Sequence, residues 1–495
     1  MKSLKFLLFG CLITLSFSIA AQQRVLDEIF TDVDIERGVI YGWNWSVIQT
    51  ADDTVGMAID TNNTRVYVDS LRMDVYMPNG DTSSGRPVIL LSHSGTFLPQ
   101  SFTGAPFGNR GDSALVEMCT RFAKRGFVAI SFTYRKGWNP ISQDQQVRTS
   151  TILNAVYLSM LDAKACVRFV KDAADFVRID TNKIILGGSN SGAYTALLAG
   201  NLNRPEELGE QKFTFLPPHP KAFEPMIDTT IWGNYDGFGG FLSVANSPGP
   251  SSDVQMILSL GGNIGTPNWI DSGEPPVVAF HGVQDAGSPF YTAVVVAAAT
   301  GTAIIEVTGP GDYIPLINSA GNNDGMNGQF CPGPIDSLSQ QAYDGLYPFY
   351  GAGFEPWGWY PSPSTTNPDA SKPRAMAYTD TIMAYFIPRA YRVLIDPNYT
   401  DSCMVTGIRD ITIADVDMDI FPNPAVNNMT IRLNDLSESI ELIEIVDVSG
   451  KMVKRIVTEN VSQYTIERNE LEQGVYFLNI KTNTGASAYR RVMFN

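Results

Sequence analysis

Residues 183–198 read KIILGGSNSGAYTALL. An apolar run, Ile184–Leu186, meets Gly187 and Gly188. Three small polar residues and Gly192 follow, and then a stretch rich in Ala and Leu. This order predicts a buried strand that turns sharply into a helix. Gly188 and Gly192 bracket the turn, where strand and helix backbones must approach closely and side chains would collide. Between them stand Ser189, Asn190 and Ser191, with Asn190 in the middle. Asparagine tolerates the left-handed backbone such a turn requires. Two other registers stay open, with Ser189 or Ser191 at the apex and small residues in place of one or both glycines.

Outward from this segment lie four more short apolar runs: PVILLSH (87–93), FVAISF (127–132), VQMILSL (254–260) and PVVAFH (276–281). They are continuously apolar rather than alternating, as strands buried on both faces are. Between 157 and 177, Leu158, Leu161, Ala165, Phe169 and Ala173 recur at helical spacing. Strands alternating with helices predict an α/β fold with a doubly wound, mostly parallel sheet. RVYVDSLRMDVYMP (65–78) alternates instead and predicts an antiparallel hairpin at the sheet edge. From Ile411 the texture changes to short alternating strands with Gly turns, which predicts a small all-β sandwich. The expected division is 22–400 for the α/β domain, 401–412 for a linker and 413–495 for the sandwich.

Residues 65–290 resemble secreted carboxylesterase-like α/β hydrolases, and 183–198 is similar to their nucleophile elbow, G-x-S-x-G. The resemblance places Asn190 at the nucleophile position, where it is a degenerate replacement for serine. His93-Ser94-Gly95 follows a strand where such esterases build half of the oxyanion hole. Ser94, Gly95 and Ser191 would supply its amides, and His93 would shape the loop. Asp285, in HGVQD (281–285), would be the triad acid. The triad order is serine, acid, histidine, but the three histidines are His93, His219 and His281, and none follows Asp285. The conventional base is therefore absent. The alternative is an unconventional pairing of one of these histidines with Ser189 or Ser191. The aromatic stretch 343–360 offers Trp357 and Trp359 as platforms for a ligand, or else packs as a lid. Asn322-Asn323-Asp324-Gly325 predicts a plain turn rather than a calcium loop, and no cofactor or metal is expected.

Both chain ends speak of export. Lys2 and Lys5 precede an apolar run ending at Ala20-Ala21, which predicts a cleaved secretory signal over 1–21. The tail carries Phe421-Pro422-Asn423-Pro424-Ala425, Asp447-Val448-Ser449-Gly450-Lys451, Gly474-Val475-Tyr476-Phe477 and Arg490-Arg491. In that order they resemble the type IX secretion sorting domain of Bacteroidota. The resemblance implies the type IX machinery as a partner and a secreted or outer-surface destination. No later apolar run is long enough for a transmembrane segment. A net charge of −16 argues against nucleic acid as a partner. Past the signal, Cys119, Cys166, Cys331 and Cys403 allow three disulfide connectivities, although Cys119 and Cys166 suit buried thiols on helices. The expectation is a non-catalytic or impaired hydrolase-like protein that binds a glycan or an ester polymer. The alternatives are an active carboxylic ester hydrolase and a structural surface protein.

Overall fold

The computed structural model describes residues 23–49, 64–297, 300–326, 345–360, 371–399, 418–434, 438–447, 452–468, 471–483 and 487–494. The signal over 1–21, the linker over 401–412, Val448–Lys451, Cys331 and Cys403 lie outside them. The chain divides into two compact units, Met1–Ser402 and Cys403–Asn495.

The first unit is organised by strands β1 (Val33–Gln49), β2 (Thr64–Pro78), β3 (Arg86–Ser92), β4 (Val128–Phe132), β5 (Ile179–Ser189), β6 (Met256–Leu260) and β7 (Val277–Gly282). A small hairpin, β8 (Ala293–Val296) with β9 (Ala303–Val307), and a last strand β10 (Leu346–Phe349) complete it. The main sheet runs β1-β2-β4-β3-β5-β6-β7-β10. All pairings from β4 to β10 are parallel, whereas β2 is antiparallel to both its neighbours. The five apolar runs are thus the five central parallel strands. Their side chains alternate between two cores. Ile89 and Leu91 of β3 pack with helices Ser113–Lys124 and Lys372–Leu394. Val88 and Leu90 pack with helices Gln145–Asp172, Ser191–Asn201 and Pro310–Ser319.

Three expectations change. Residues 65–78 do not fold back on themselves; they belong to one strand that pairs antiparallel with β1 on one side and β4 on the other. The sheet has an eighth strand, β10, in the aromatic stretch expected to form a platform or lid. The helix expected at 157–177 is Gln145–Asp172, begun by the Asp144 carboxylate accepting from Gln146 N at 2.8 Å. Its first half buries Thr149, Ser150, Thr151 and Asn154, which breaks the apolar periodicity. These side chains bond to backbone carbonyls instead, as Thr151 Oγ1 donates to Val147 O at 2.7 Å. Cys119 and Cys166 are free and buried, and burial pushes both thiols up.

The second unit is a β-sandwich. One sheet holds β11 (Met418–Phe421), β12 (Asn428–Leu433) and β15 (Gln463–Glu467). The other holds β14 (Met452–Val461), β13 (Ile440–Asp447), β16 (Gly474–Thr482) and β17 (Ser487–Phe494) in that order. Its own core includes Ile431, Ile443, Ile445, Leu478 and Phe494. Ala425 of the first tail motif is fully buried, with its N–H donating to Met493 O at 2.8 Å. Because each unit has a separate core, a chain ending at Ser402 is expected to stay soluble and melt in one cooperative transition. Calorimetry checks this; aggregation of the shortened chain alone would place the boundary elsewhere.

Candidate functional site

The end of β5 decides the geometry. Asn190 has φ 47° and ψ −112°, and helix Ser191–Asn201 begins at the next residue. Its N–H donates to Leu260 O of β6 at 2.7 Å, and its carbonyl accepts from Ala193 N and Tyr194 N. A Cβ on Gly188 would lie 2.3 Å from the Gly192 carbonyl carbon, and one on Gly192 would lie 2.2 Å from Ser92 O. Both positions therefore require glycine, and Asn190 sits at the apex between them. Ser189 and Ser191, at 2% and 1% exposed, turn into the protein on either side.

The Ser92 hydroxyl ties β3 to the elbow, donating to Gly187 O at 3.0 Å and Gly192 O at 2.9 Å. After β3, Gly95 has φ 125°, and a Cβ there would lie 2.8 Å from Gly108 Cα. Ser191 opens its helix, so its N–H has no acceptor within the helix. Tyr134, just past β4, joins the two sides. Its hydroxyl donates to His93 O at 2.9 Å and lies 2.9 Å from Ser191 Oγ. The His93 ring stacks on Tyr134 at 4.5 Å. Its Nδ1 contacts Ser94 O, and burial holds its pKa well below the usual histidine range.

Glu355 was not a sequence candidate, yet it occupies the centre of this region. It lies in the loop after β10, with φ 44°, and is buried. Its Oε1 accepts from Ser189 Oγ at 2.6 Å and its Oε2 from Tyr360 OH at 2.8 Å. The Trp357 indole N–H donates to Ser189 Oγ at 2.8 Å. Ser94 Oγ faces the same carboxylate without a hydrogen bond of normal geometry. Burial pushes the Glu355 carboxyl up, against the pull of these hydroxyls. Asp285 closes the turn after β7, with Oδ1 accepting from Gly287 N at 2.8 Å and Ser288 N at 3.0 Å. Burial, and secondarily the charge of Glu355, raises it to about 6. Glu355 follows Asp285 in the chain, so it stands where the order serine, acid, histidine would put the base. The signal for it was its place past Asp285 in GFEPWGWY (353–360), legible only once 346–349 is read as the last strand.

The remaining candidates fall elsewhere. His281 lies under the acid turn with Nε2 2.6 Å from Ser288 O, and burial lowers it to about 4. His219 stacks on Phe215 at 4.0 Å, and its Nδ1 accepts from Lys221 N. Among the described residues, no histidine is hydrogen-bonded to Ser189, Asn190 or Ser191. Trp357 is not an exposed platform: at 1% exposure it belongs to the core. Trp359 is half-buried, with Lys372 Nζ 5.7 Å above its ring. Asn322 and Asn323 bond to backbone: Gly273 N donates to Asn322 Oδ1, and Val277 N to Asn323 Oδ1.

Buried carboxyls give a pH signature. Burial raises Asp112 to about 7 and Glu274 to about 8. In the folded state both hold protons that the unfolded chain has released, so their contribution is complete at low pH and is lost as pH rises through the folded values. His93 and His281, lowered by burial, act oppositely only below the unperturbed histidine value, and Lys164, lowered by burial to about 8, opposes mainly from there upward, so the carboxyls dominate below about 8. The urea midpoint of the first unit is therefore expected to rise as pH falls from about 8 to about 6.5. A flat or falling midpoint across that window contradicts the assignment. Tryptophan fluorescence isolates this unit, since all seven tryptophans precede Ser402.

Residues 73–231 match the BD-FAE family, an esterase-like domain, and 419–495 match the secretion system C-terminal sorting domain. The chain is a secreted α/β-hydrolase-fold protein with a type IX sorting tail. The α/β-hydrolase match spans the elbow and stops before Asp285 and Glu355. The sorting tail implies the secretion machinery as partner and export to the medium or outer surface. No helix of the described residues is long and apolar enough to cross a membrane. Similar solved structures include Thermogutta terrifontis esterase 2 phosphorylated by paraoxon, 17% identical, covering 74% of this chain and 95% of that one, with a TM-score of 0.38. The same esterase phosphonylated by cyclosarin is 18% identical, covering 70% and 89%, with a TM-score of 0.36. At such scores the fold assignment rests on sheet order and the family match. No curated protein matches the chain.

Proposed function

We propose that the α/β-hydrolase-fold unit binds rather than hydrolyses its ligand, after removal of the 1–21 signal and export through the type IX route. The observation that carries this reading is the amide of Asn190 at the elbow apex, with Glu355 rather than a histidine hydrogen-bonded to the neighbouring Ser189. An amide is not a usable nucleophile at neutral pH. A carboxylate already accepting from Ser189 and Tyr360 is poorly placed to take another proton. The ligand class that suits an ester-binding cleft outside the cell is an ester-bearing polymer or a glycan. The amides of Ser94, Gly95 and Ser191 would meet its carbonyl or hydroxyl oxygens.

A second reading is favoured by the 2.6 Å bond from Ser189 Oγ to Glu355. Here Ser189 would be the nucleophile, Glu355 its base and Asp285 the acid. This needs the 2% exposed Ser189 to become accessible. Aryl-acetate hydrolysis separates the two readings. Wild type is expected to be indistinguishable from a boiled control. Turnover that disappears in both Ser189→Ala and Glu355→Gln would instead establish the carboxylate-based hydrolase.

A further inference from the structure

Asn190 is held in an unusual conformation whose consequence is chemical. At a ψ of about −120°, the Cα–Cβ bond eclipses the bond from the carbonyl carbon to the next nitrogen, because Cβ lies one tetrahedral step from the backbone nitrogen. Asn190 has ψ −112°. Its Cβ is therefore nearly coplanar with the Ser191 nitrogen, the arrangement a five-membered ring through Cγ requires. The elbow holds it there: Asn190 N–H is bonded to Leu260 O, its carbonyl accepts from Ala193 and Tyr194, and the bracketing glycines leave no room to shift. Its side chain does not make the capping bond usual for asparagine before a helix. The attacking group is equally unencumbered, since the Ser191 N–H has no acceptor in its helix. Ser191 is also small, and its hydroxyl is turned aside to Tyr134.

We propose that Asn190 is a self-modification site, deamidating through a cyclic imide with the Ser191 nitrogen. The Ser191 nitrogen attacks Asn190 Cγ and the Cγ–Nδ2 bond breaks. The departing amide nitrogen leaves as ammonia, carrying its own two hydrogens and the one from Ser191. Water then opens the ring at either carbonyl, its hydroxyl going to carbon and its proton to nitrogen. The products are an aspartyl and an isoaspartyl residue at position 190, with no change of oxidation state. The reaction consumes the protein's own amide, so it stands whether or not the unit hydrolyses esters. It places a carboxylate at the apex, next in the chain to Ser189, whose hydroxyl Glu355 holds, and would turn a site suited to neutral ligands into one that repels anions.

In the test, the full chain is incubated at neutral pH, folded or in urea, and digested with trypsin. Mass spectrometry follows the peptide Ile184–Lys212, which spans the uncleaved Arg204–Pro205 bond, for the gain that accompanies exchange of –NH2 for –OH. Asn201, whose Nδ2 donates to Leu197 O, and Asn203 serve as internal controls, and Asn190→Asp marks the aspartyl product. Orientation alone accelerates intramolecular reactions by large factors, so conversion at 190 is expected to be on the order of tenfold faster in the folded chain than in urea. Both isomers should appear. Conversion at 190 that is equal or faster in urea, or that yields no isoaspartyl product, overturns the proposal.

Discussion

The double variant Asn190→Ser, Glu355→His is expected to hydrolyse an aryl acetate at least roughly 10²-fold faster than either single variant, since a positioned general base contributes about 10² to 10⁴. The two changes supply parts that work only together. Asn190→Ser places a hydroxyl at the apex, but the carboxylate at 355 is already engaged by Ser189 and Tyr360. Glu355→His places an imidazole within electrostatic reach of Asp285, which would hold its tautomer, but finds no hydroxyl at the apex. Histidine also tolerates the left-handed backbone at 355, where φ is 44°. In a triad, loss of nucleophile or base alone removes almost all the benefit, so the gain should be strongly non-additive. Turnover by Asn190→Ser alone would show that Glu355 serves as base. A silent double variant that melts like wild type would remove 355 from the base position.

The second large effect is on stability. Arg135 and Asp162 form an ion pair with both side chains 1% exposed. The Asp162 carboxylate accepts from Arg135 N at 2.8 Å and Nε at 2.9 Å, and the guanidinium also donates to Trp45 O. Removing one partner of such a pair strands the other charge in the core. Asp162→Ala should therefore cost about 3–5 kcal/mol by urea unfolding followed through tryptophan fluorescence. Replacing both, as Arg135→Met with Asp162→Leu, should recover most of the loss, because desolvation offsets much of a buried pair's attraction. A cost below about 1 kcal/mol for the single change would mean that water reaches the pair. The pair also anchors the backbone next to Tyr134, so the single variant should loosen the Tyr134 contact with Ser191.

The central sheet was legible because buried parallel strands must be continuously apolar, and 87–93, 127–132, 183–188, 254–260 and 276–281 have no other reading. β10 was hidden because Leu346–Phe349 is short and lies among aromatics that are equally consistent with a loop. The first half of helix Gln145–Asp172 was hidden because its buried threonines, serine and asparagine satisfy themselves on backbone carbonyls, which periodicity does not register. Glycines 188 and 192 bracketed Asn190 from sequence, since backbone contact at a sharp turn permits no other residue.

By itself, the sequence determined the order of the parallel strands' precursors, the amide between Gly188 and Gly192, the lack of any histidine beyond Asp285, and the sorting tail. These are properties of local pattern or of inventory, and neither needs a third dimension. Tertiary structure alone decided that Ser189, 166 positions from Glu355, gives it a hydrogen bond, and that Trp357 lies in the core beneath the elbow. It also decided that Arg135 neutralises Asp162 inside the protein. Such partnerships depend on which strand ends the sheet brings together, and residue type does not encode a neighbour so distant along the chain.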